Sequence, residues 1–355
     1  MKAILTQIKQ KKYINKKKLT LLLIFIGMLL CLISSINAQV VSPLQGGHFS
    51  PSVSNVRDMA TPPPGLFLLW YNVYSSSSKY IDRDGNEFNS IRLDQIYPGL
   101  PNIDVSLELD AFASIPTIFW ASHFKLMGGA RYMAGFSLNY VSADASIITE
   151  RAGIINPDTT ITRKAEGKNS GLSDMLFVPV GLSWQLEKFD MTFLYGFVAP
   201  TGSYESGSAE NIGLGFWTHQ FQGYGYFYPV PEKSTAIMLG LTFELNSKIK
   251  DADVKPGNRF SLEWGVSQYF SEQFELNVKG GHNWQISDDT GNEVYWDPRF
   301  HDRKSTILFG ANYWPWKERL SLALKYGLDY GVRQRFQNNS WLFNIIFIPN
   351  IFTGK

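Results

Sequence analysis

Residues 105–115 read Val-Ser-Leu-Glu-Leu-Asp-Ala-Phe-Ala-Ser-Ile. Every odd position is apolar (Val105, Leu107, Leu109, Ala111, Ala113, Ile115), while Ser106, Glu108, Asp110 and Ser114 stand between them. A period of two marks a β-strand whose two faces meet different surroundings. Two carboxylates on one face cannot look at hydrocarbon. If such a strand crosses a membrane, the expectation is that its apolar side meets lipid and Glu108 and Asp110 point into a polar interior.

The pattern recurs along the chain. Ala130, Tyr132, Ala134, Phe136 and Leu138 oppose Arg131, Ser137 and Asn139, and Ile237, Leu239, Leu241, Phe243 and Leu245 oppose Thr242 and Glu244. Further on, Phe260, Leu262, Trp264 and Val266 oppose Ser261, Glu263 and Ser267. Phe274, Leu276 and Val278 oppose Glu275, Asn277 and Lys279, and the residues Leu320, Leu322, Leu324, Tyr326 and Leu328 oppose Ser321, Lys325 and Asp329. With less regular segments at 65–74, 174–184, 191–200, 213–228, 306–314 and 341–348, the count reaches 12 strands, an even number as a single-chain bacterial barrel requires. Short connections (123–128, 187–189, 231–233, 271–273, 316–319) alternate with long polar ones (82–86, 149–173, 201–211, 248–258, 287–299, 332–338). Short periplasmic turns and long external loops have this asymmetry. The predicted fold is an all-β transmembrane antiparallel barrel of about 12 strands with an N-terminal plug. A soluble sandwich or lipocalin-like barrel also alternates, with the apolar side inward. Strand number, loop asymmetry and aromatic content favour the membrane form.

The start of the chain reads as an export signal. Residues 1–18 hold seven lysines and no acid, residues 19–33 are almost wholly apolar, and Ile36-Asn37-Ala38-Gln39 offers a small residue for cleavage after Ala38. The apolar run is shorter than the roughly 20 residues of a spanning helix, which disfavours a membrane anchor. Cys31, the only cysteine, lies inside that run. Taking the seven lysines from 33 basic residues leaves 26 against 31 acidic ones, a net charge of −5. That balance gives no basic stripe for nucleic acid, so none is expected as a partner. The cysteine-free mature chain suits an oxidising compartment. Twenty-five Phe, 17 Tyr and 10 Trp supply the aromatic girdles that a barrel places at the membrane interfaces.

The predicted organisation is a signal peptide at 1–38, an N-terminal periplasmic or plug segment at 39–64 and an outer-membrane barrel at 65–355. Residues 39–64 have little strand character and end in Pro62-Pro63-Pro64, a stiff run that donates no backbone hydrogen bonds. The segment is expected to fold into the lumen, with Arg57 and Asp58 pairing with interior charges such as Glu108, Asp110, Arg131, Glu263 or Lys325; the alternative is a loose periplasmic tail.

Arg57-Asp58, the Pro-Pro-Pro-Gly run, the aromatic strand Leu68-Leu69-Trp70-Tyr71-Asn72-Val73-Tyr74 and Asp82-Arg83-Asp84-Gly85-Asn86 resemble the start of an outer-membrane family named for the MetA pathway of phenol degradation. Pro200-Thr201-Gly202-Ser203-Tyr204, the block 211–220, Phe243-Glu244-Leu245-Asn246 and Lys255-Pro256-Gly257 resemble its later blocks in the same order. The resemblance implies a barrel related in concept to toluene and long-chain fatty-acid channels, with aromatic or other hydrophobic solutes as cargo. The ending departs from the common terminal aromatic, since Ile351-Phe352-Thr353-Gly354-Lys355 stands there, so the assembly signal is read from 341–347.

None of the five histidines sits in a compact Ser/His/Asn signature, and no metal spacing emerges. Asp82-Arg83-Asp84-Gly85-Asn86 hints at a calcium loop, but Glu87 occupies the glycine position, and an Asp-Gly turn is the simpler reading. No catalytic residue, metal or cofactor is therefore assigned. Trp217 and His219 are the candidates for a solute path within the aromatic stretch 213–228. The predicted function is a passive outer-membrane channel for small hydrophobic or aromatic compounds in a Gram-negative bacterium. Its partners are outer-membrane lipid, the barrel-assembly machinery and the solutes. The alternatives are a structural or adhesion barrel without transport and an outer-membrane lipid hydrolase.

Overall fold

A strand that buries one face and greases the other closes on itself when no edge can be left in lipid. The computed structural model describes residues 46–349 apart from 61, 96, 154–157, 207, 209 and 210. The expected export signal and its expected cleavage point, like residues 350–355, lie outside the described part.

Fourteen long strands follow in chain order. They are β1 (Gly65–Ser77), β2 (Ile103–Leu126), β3 (Ala130–Ser137), β4 (Tyr140–Ala152), β5 (Thr160–Leu172), β6 (Met175–Gln185) and β7 (Phe189–Ala199), then β8 (Thr218–Phe227), β9 (Thr235–Asn246), β10 (Arg259–Tyr269), β11 (Phe274–Gln285), β12 (Arg303–Trp316), β13 (Leu320–Arg333) and β14 (Asn339–Phe347). Antiparallel pairing runs β1-β14-β13-β12-β11-β10-β9-β8-β7-β6-β3-β2, and β2 pairs back to β1, so 12 strands close the ring. The register at the seam joins Gly65 to Ala121 and Ser77 to Leu109. No described helix is long and apolar enough to cross a membrane.

Across most of the ring the facing matches the alternation. Leu239 and Leu324 on the outer wall are more than half exposed, while their neighbours Met238 and Lys325 are sealed inside. An apolar band of this kind around a closed ring is a lipid-facing surface.

Strand β2 departs from this. Its 24 residues far exceed the 9–11 that cross a bilayer, so its first half stands outside the membrane. Strands β4 and β5 form a hairpin over 140–172, most of which falls in the expected external loop 149–173; it continues β3 and leads into β6, and β4 also pairs with the outer half of β2. Within β5, Thr162, Lys164, Glu166 and Lys168 alternate with Arg163, Ala165, Gly167 and Asn169, so no apolar row betrays a strand.

The facing of 105–115 is the reverse of the expectation. Ile115 sits on the lumen side opposite Tyr71, and Val105 is buried on that same side. Glu108 and Asp110 are exposed on the outer side, where Asp110 accepts a 3.1 Å hydrogen bond from the Tyr74 hydroxyl. Above the bilayer the outer surface of a barrel meets water and headgroups, so acids belong there and the alternation inverts.

Candidate functional site: a divided lumen

Inward side chains divide the lumen into a polar wall and an apolar wall. Strands β9 to β14 contribute Glu244, Arg259, Glu263, Glu275, Lys279, Lys325 and Asn344, all buried. Strands β1, β2, β6 and β7 contribute Leu69, Phe119, Val178, Leu194 and Val198. Strand β8 stands between them. Its inward row starts at Thr218, passes through Gln220 and Gln222, linked at 3.0 Å, and continues with Tyr224 and Tyr226.

Residues 46–60 run down the polar wall. Buried charges need partners, and here backbone groups supply many of them. His48 bridges Thr218 Oγ1 at 2.8 Å and Asp174 Oδ2 at 3.0 Å. The Phe49 amide donates to Glu244 Oε1 at 2.9 Å, and the Ser52 amide donates to Glu263 Oε1 at 2.5 Å. Lys279 Nζ stands 3.0 Å from Glu263 and donates to Ser54 Oγ at 2.7 Å. Lys325 Nζ donates to the carbonyls of Ser52, Val53 and Ser54, the shortest at 2.7 Å. Near the periplasmic end the Arg57 guanidinium meets Glu275 and the carbonyls of Lys233 and Ser234, each at 2.8 Å.

Glu263 and Lys325 thus touch the segment mainly through its backbone. Arg57 pairs with Glu275 instead of the partners expected for it, and Asp58 accepts hydrogen bonds from the Tyr71 hydroxyl at 2.9 Å and the Asn55 amide at 2.7 Å. Arg131 is half-buried near the periplasmic end, where Nη1 donates to the Ser122 carbonyl at 3.0 Å. Glu108 and Asp110 lie on the outer surface and correct the reading that placed them in the lumen.

Trp217 and His219, the candidates for a solute path, point away from the lumen. Trp217 is 46% exposed and His219 lies beside Tyr195 on the outer wall, with Nδ1 2.9 Å from the Tyr195 hydroxyl. The lumen face of β8 belongs to the even positions, Thr218 to Tyr226. His282 is also on the outer side, stacked on Trp284 and 2.9 Å from Ser305 Oγ. Asp82 Oδ1 accepts the amides of Asp84, Gly85 and Asn86, so 82–86 is an Asx-type turn. Among the described residues no group of three or more metal-ligating side chains forms.

Between the segment and the apolar wall lies a cavity of about 350 Å³, lined by Leu69, Tyr71, Phe119, Val178, Leu194 and Val198, with Phe49, Val53 and Met59 of the segment on its other side. That volume lies within the ordinary range of small-molecule sites. Its rim reaches the junctions where β3 gives way to β4 and β5 to β6, at Asn139 and Asp174. The Asp174 carboxylate gathers this rim, accepting the amides of Gly202 at 2.9 Å and Leu214 at 2.7 Å besides His48. Gly202 and Gly213 pack here so closely that a Cβ on Gly202 would stand 2.7 Å from the Gly213 Cα, which explains two glycines at this crossing. Sequence reasoning missed Asp174 and His48, because neither belongs to a periodic row. Glu275 and Lys279 were visible as members of a polar face, but their pairing was not.

The chain resembles several solved barrels. The COG4313 outer membrane channel from Pseudomonas putida F1 superposes with a TM-score of 0.60 at 14% identity, covering 84% of this chain and 99% of that one. The translocator domain of the autotransporter NalP from Neisseria meningitidis gives 0.43 at 10% identity, over 83% and 92%. A Pseudomonas aeruginosa FadL homologue gives 0.39 at 10% identity, over 87% and 99%. The first likeness supports the fold. No curated protein matches. A family profile does match, over residues 95–345, which is most of the chain, and places this protein in the family described as "Putative MetA-pathway of phenol degradation".

Proposed function

We propose that the protein is a passive channel for small hydrophobic or aromatic compounds in the outer membrane of a Gram-negative bacterium. The observation that carries the reading is the divided lumen: residues 46–60 lie along the polar wall, and the space left open is lined mostly by apolar side chains. Such a path excludes ions and sugars, which would lose hydration there. An apolar solute gains about 25 cal/mol for each Å² removed from water, which favours entry without binding so tightly that exit fails. The solute crosses down its own gradient, and no catalytic group is involved. In the Pseudomonas putida F1 relative, whose barrel this one resembles, the protein is a channel by its description.

The test is uptake of N-phenyl-naphthylamine, an aromatic probe that the intact outer leaflet holds back, by cells producing the barrel. Wild-type protein accelerates uptake, and Leu194→Trp, which fills the cavity, removes the acceleration. A structural barrel or a lipid hydrolase leaves the uptake rate at that of cells lacking the protein.

A further inference from the structure

The reversed facing of the outer half of β2 leaves an apolar sheet face that the cavity alone does not explain. Leu107 pairs with Ile147, Leu109 with Ala145, Ala111 with Ala143 and Ala113 with Val141. These pairs share the lumen-side face, and so make a two-strand apolar strip. Its outer side carries Glu108, Asp110 and the 2.8 Å Lys168–Asp144 ion pair. A charged outer side belongs in water or among headgroups, so the strip stands above the bilayer. There an apolar face gains nothing from lipid, yet Ile147 is 46% exposed. Exposed apolar strips of this kind mark binding surfaces.

Two further observations say what the strip serves. It is continuous with the cavity, because Val141 and Ile115 at its lower end line that cavity. The adjoining row of β5 is also low: a Cβ added at Gly167 meets nothing within 4 Å, and one at Gly171 meets only Ile212 Cγ1 at 3.7 Å. The strip is therefore open above its floor and ends in the apolar half of the lumen.

We propose that the lumen-side face of the β2–β4–β5 extension is a capture track for small hydrophobic solutes, which collects them outside the membrane and delivers them to the cavity. The proposal rests on the channel reading above. A solute that meets the track slides along one wall instead of finding a narrow opening from bulk water, so the track raises uptake most when solute is scarce.

The test compares probe uptake by cells producing wild type, Leu107→Glu, Ile147→Glu, Gly167→Trp, the outer-face control Ser106→Glu and the cavity variant Leu194→Trp, with each barrel's amount in the membrane checked by its heat-modifiable gel band. Losing apolar contact in the two glutamate variants, or obstructing the strip in Gly167→Trp, slows uptake about tenfold at low probe concentration, and the difference closes at saturating probe. Ser106→Glu keeps the wild-type rate. If Leu194→Trp is slow while the track variants match wild type, the track is overturned and the channel stands. If wild type itself gives no acceleration, both fail. Quantitative cross-linking of Gly167→Cys to a second copy in native membranes also overturns the proposal, since the face would then be a contact between chains.

Discussion

Arg57 Nε and Glu275 Oε1 lie 2.8 Å apart at the foot of the lumen, joining a residue that precedes the first strand to one four strands away around the ring. Glu275 is sealed from solvent, and the Arg57 guanidinium also lies 4.7 Å over the Tyr269 ring. This pair holds the lower end of segment 46–60.

Removing one partner of a buried pair leaves the other uncompensated. Arg57→Ala should therefore weaken docking of residues 46–60 by about 3 kcal/mol, and Arg57→Ala combined with Glu275→Gln by distinctly less. Hydrogen exchange at the amides of 52–58 measures both.

Lys325 holds the middle of the same segment through three carbonyls. Lys325→Met keeps the bulk and removes all three donors. A cysteine placed at Ser54 should react slowly with a water-soluble maleimide in the wild-type background and about tenfold faster with Lys325→Met, which corresponds to roughly 1.4 kcal/mol of lost anchoring. Equal labelling would mean that the other anchors suffice.

The histidines separate a conduit from a hydrolase. His219 and His282 stand on the outer wall, so His219→Ala and His282→Ala should leave probe uptake unchanged and lipid-ester turnover at background. A fall in ester turnover on either substitution would point to chemistry at the rim.

In the external loop between β11 and β12, hydrogen bonds from the Arg299 side chain hold the Asp297 carboxyl down to about 2. A depressed carboxyl contributes order above its ordinary pKa and loses it as pH falls through the depressed one. The Asp297–Arg299 clasp should thus be intact above about pH 4 and open as pH falls towards about 2. An NMR titration of Asp297 checks this, and Arg299→Ala should return the midpoint to the ordinary carboxylate range.

The sequence revealed the barrel because alternation survives wherever a strand separates lipid from a polar interior, as with Leu239 beside Gly240 and Leu324 beside Lys325. It misled at Glu108 and Asp110. A period of two reports that two faces differ, not which one is outside, and the sign reverses once the strand leaves the bilayer. The β4–β5 hairpin escaped notice for a related reason: with water on both sides of β5, nothing forces a pattern. Trp217 and His219 drew attention by their chemistry, yet a shift of one position puts Thr218 and Gln220 inside instead. Asp174 and His48 gave no signal, since contacts 126 positions apart arise only when the ring closes.

The most direct test is occupancy of the cavity itself. With cysteine at Thr117 on the apolar wall and, separately, at Ser261 on the polar wall, a small aromatic solute should slow thiol modification at 117 and leave 261 unaffected. Protection at both positions, or at neither, would contradict a lumen divided into a polar half filled by residues 46–60 and an open apolar one.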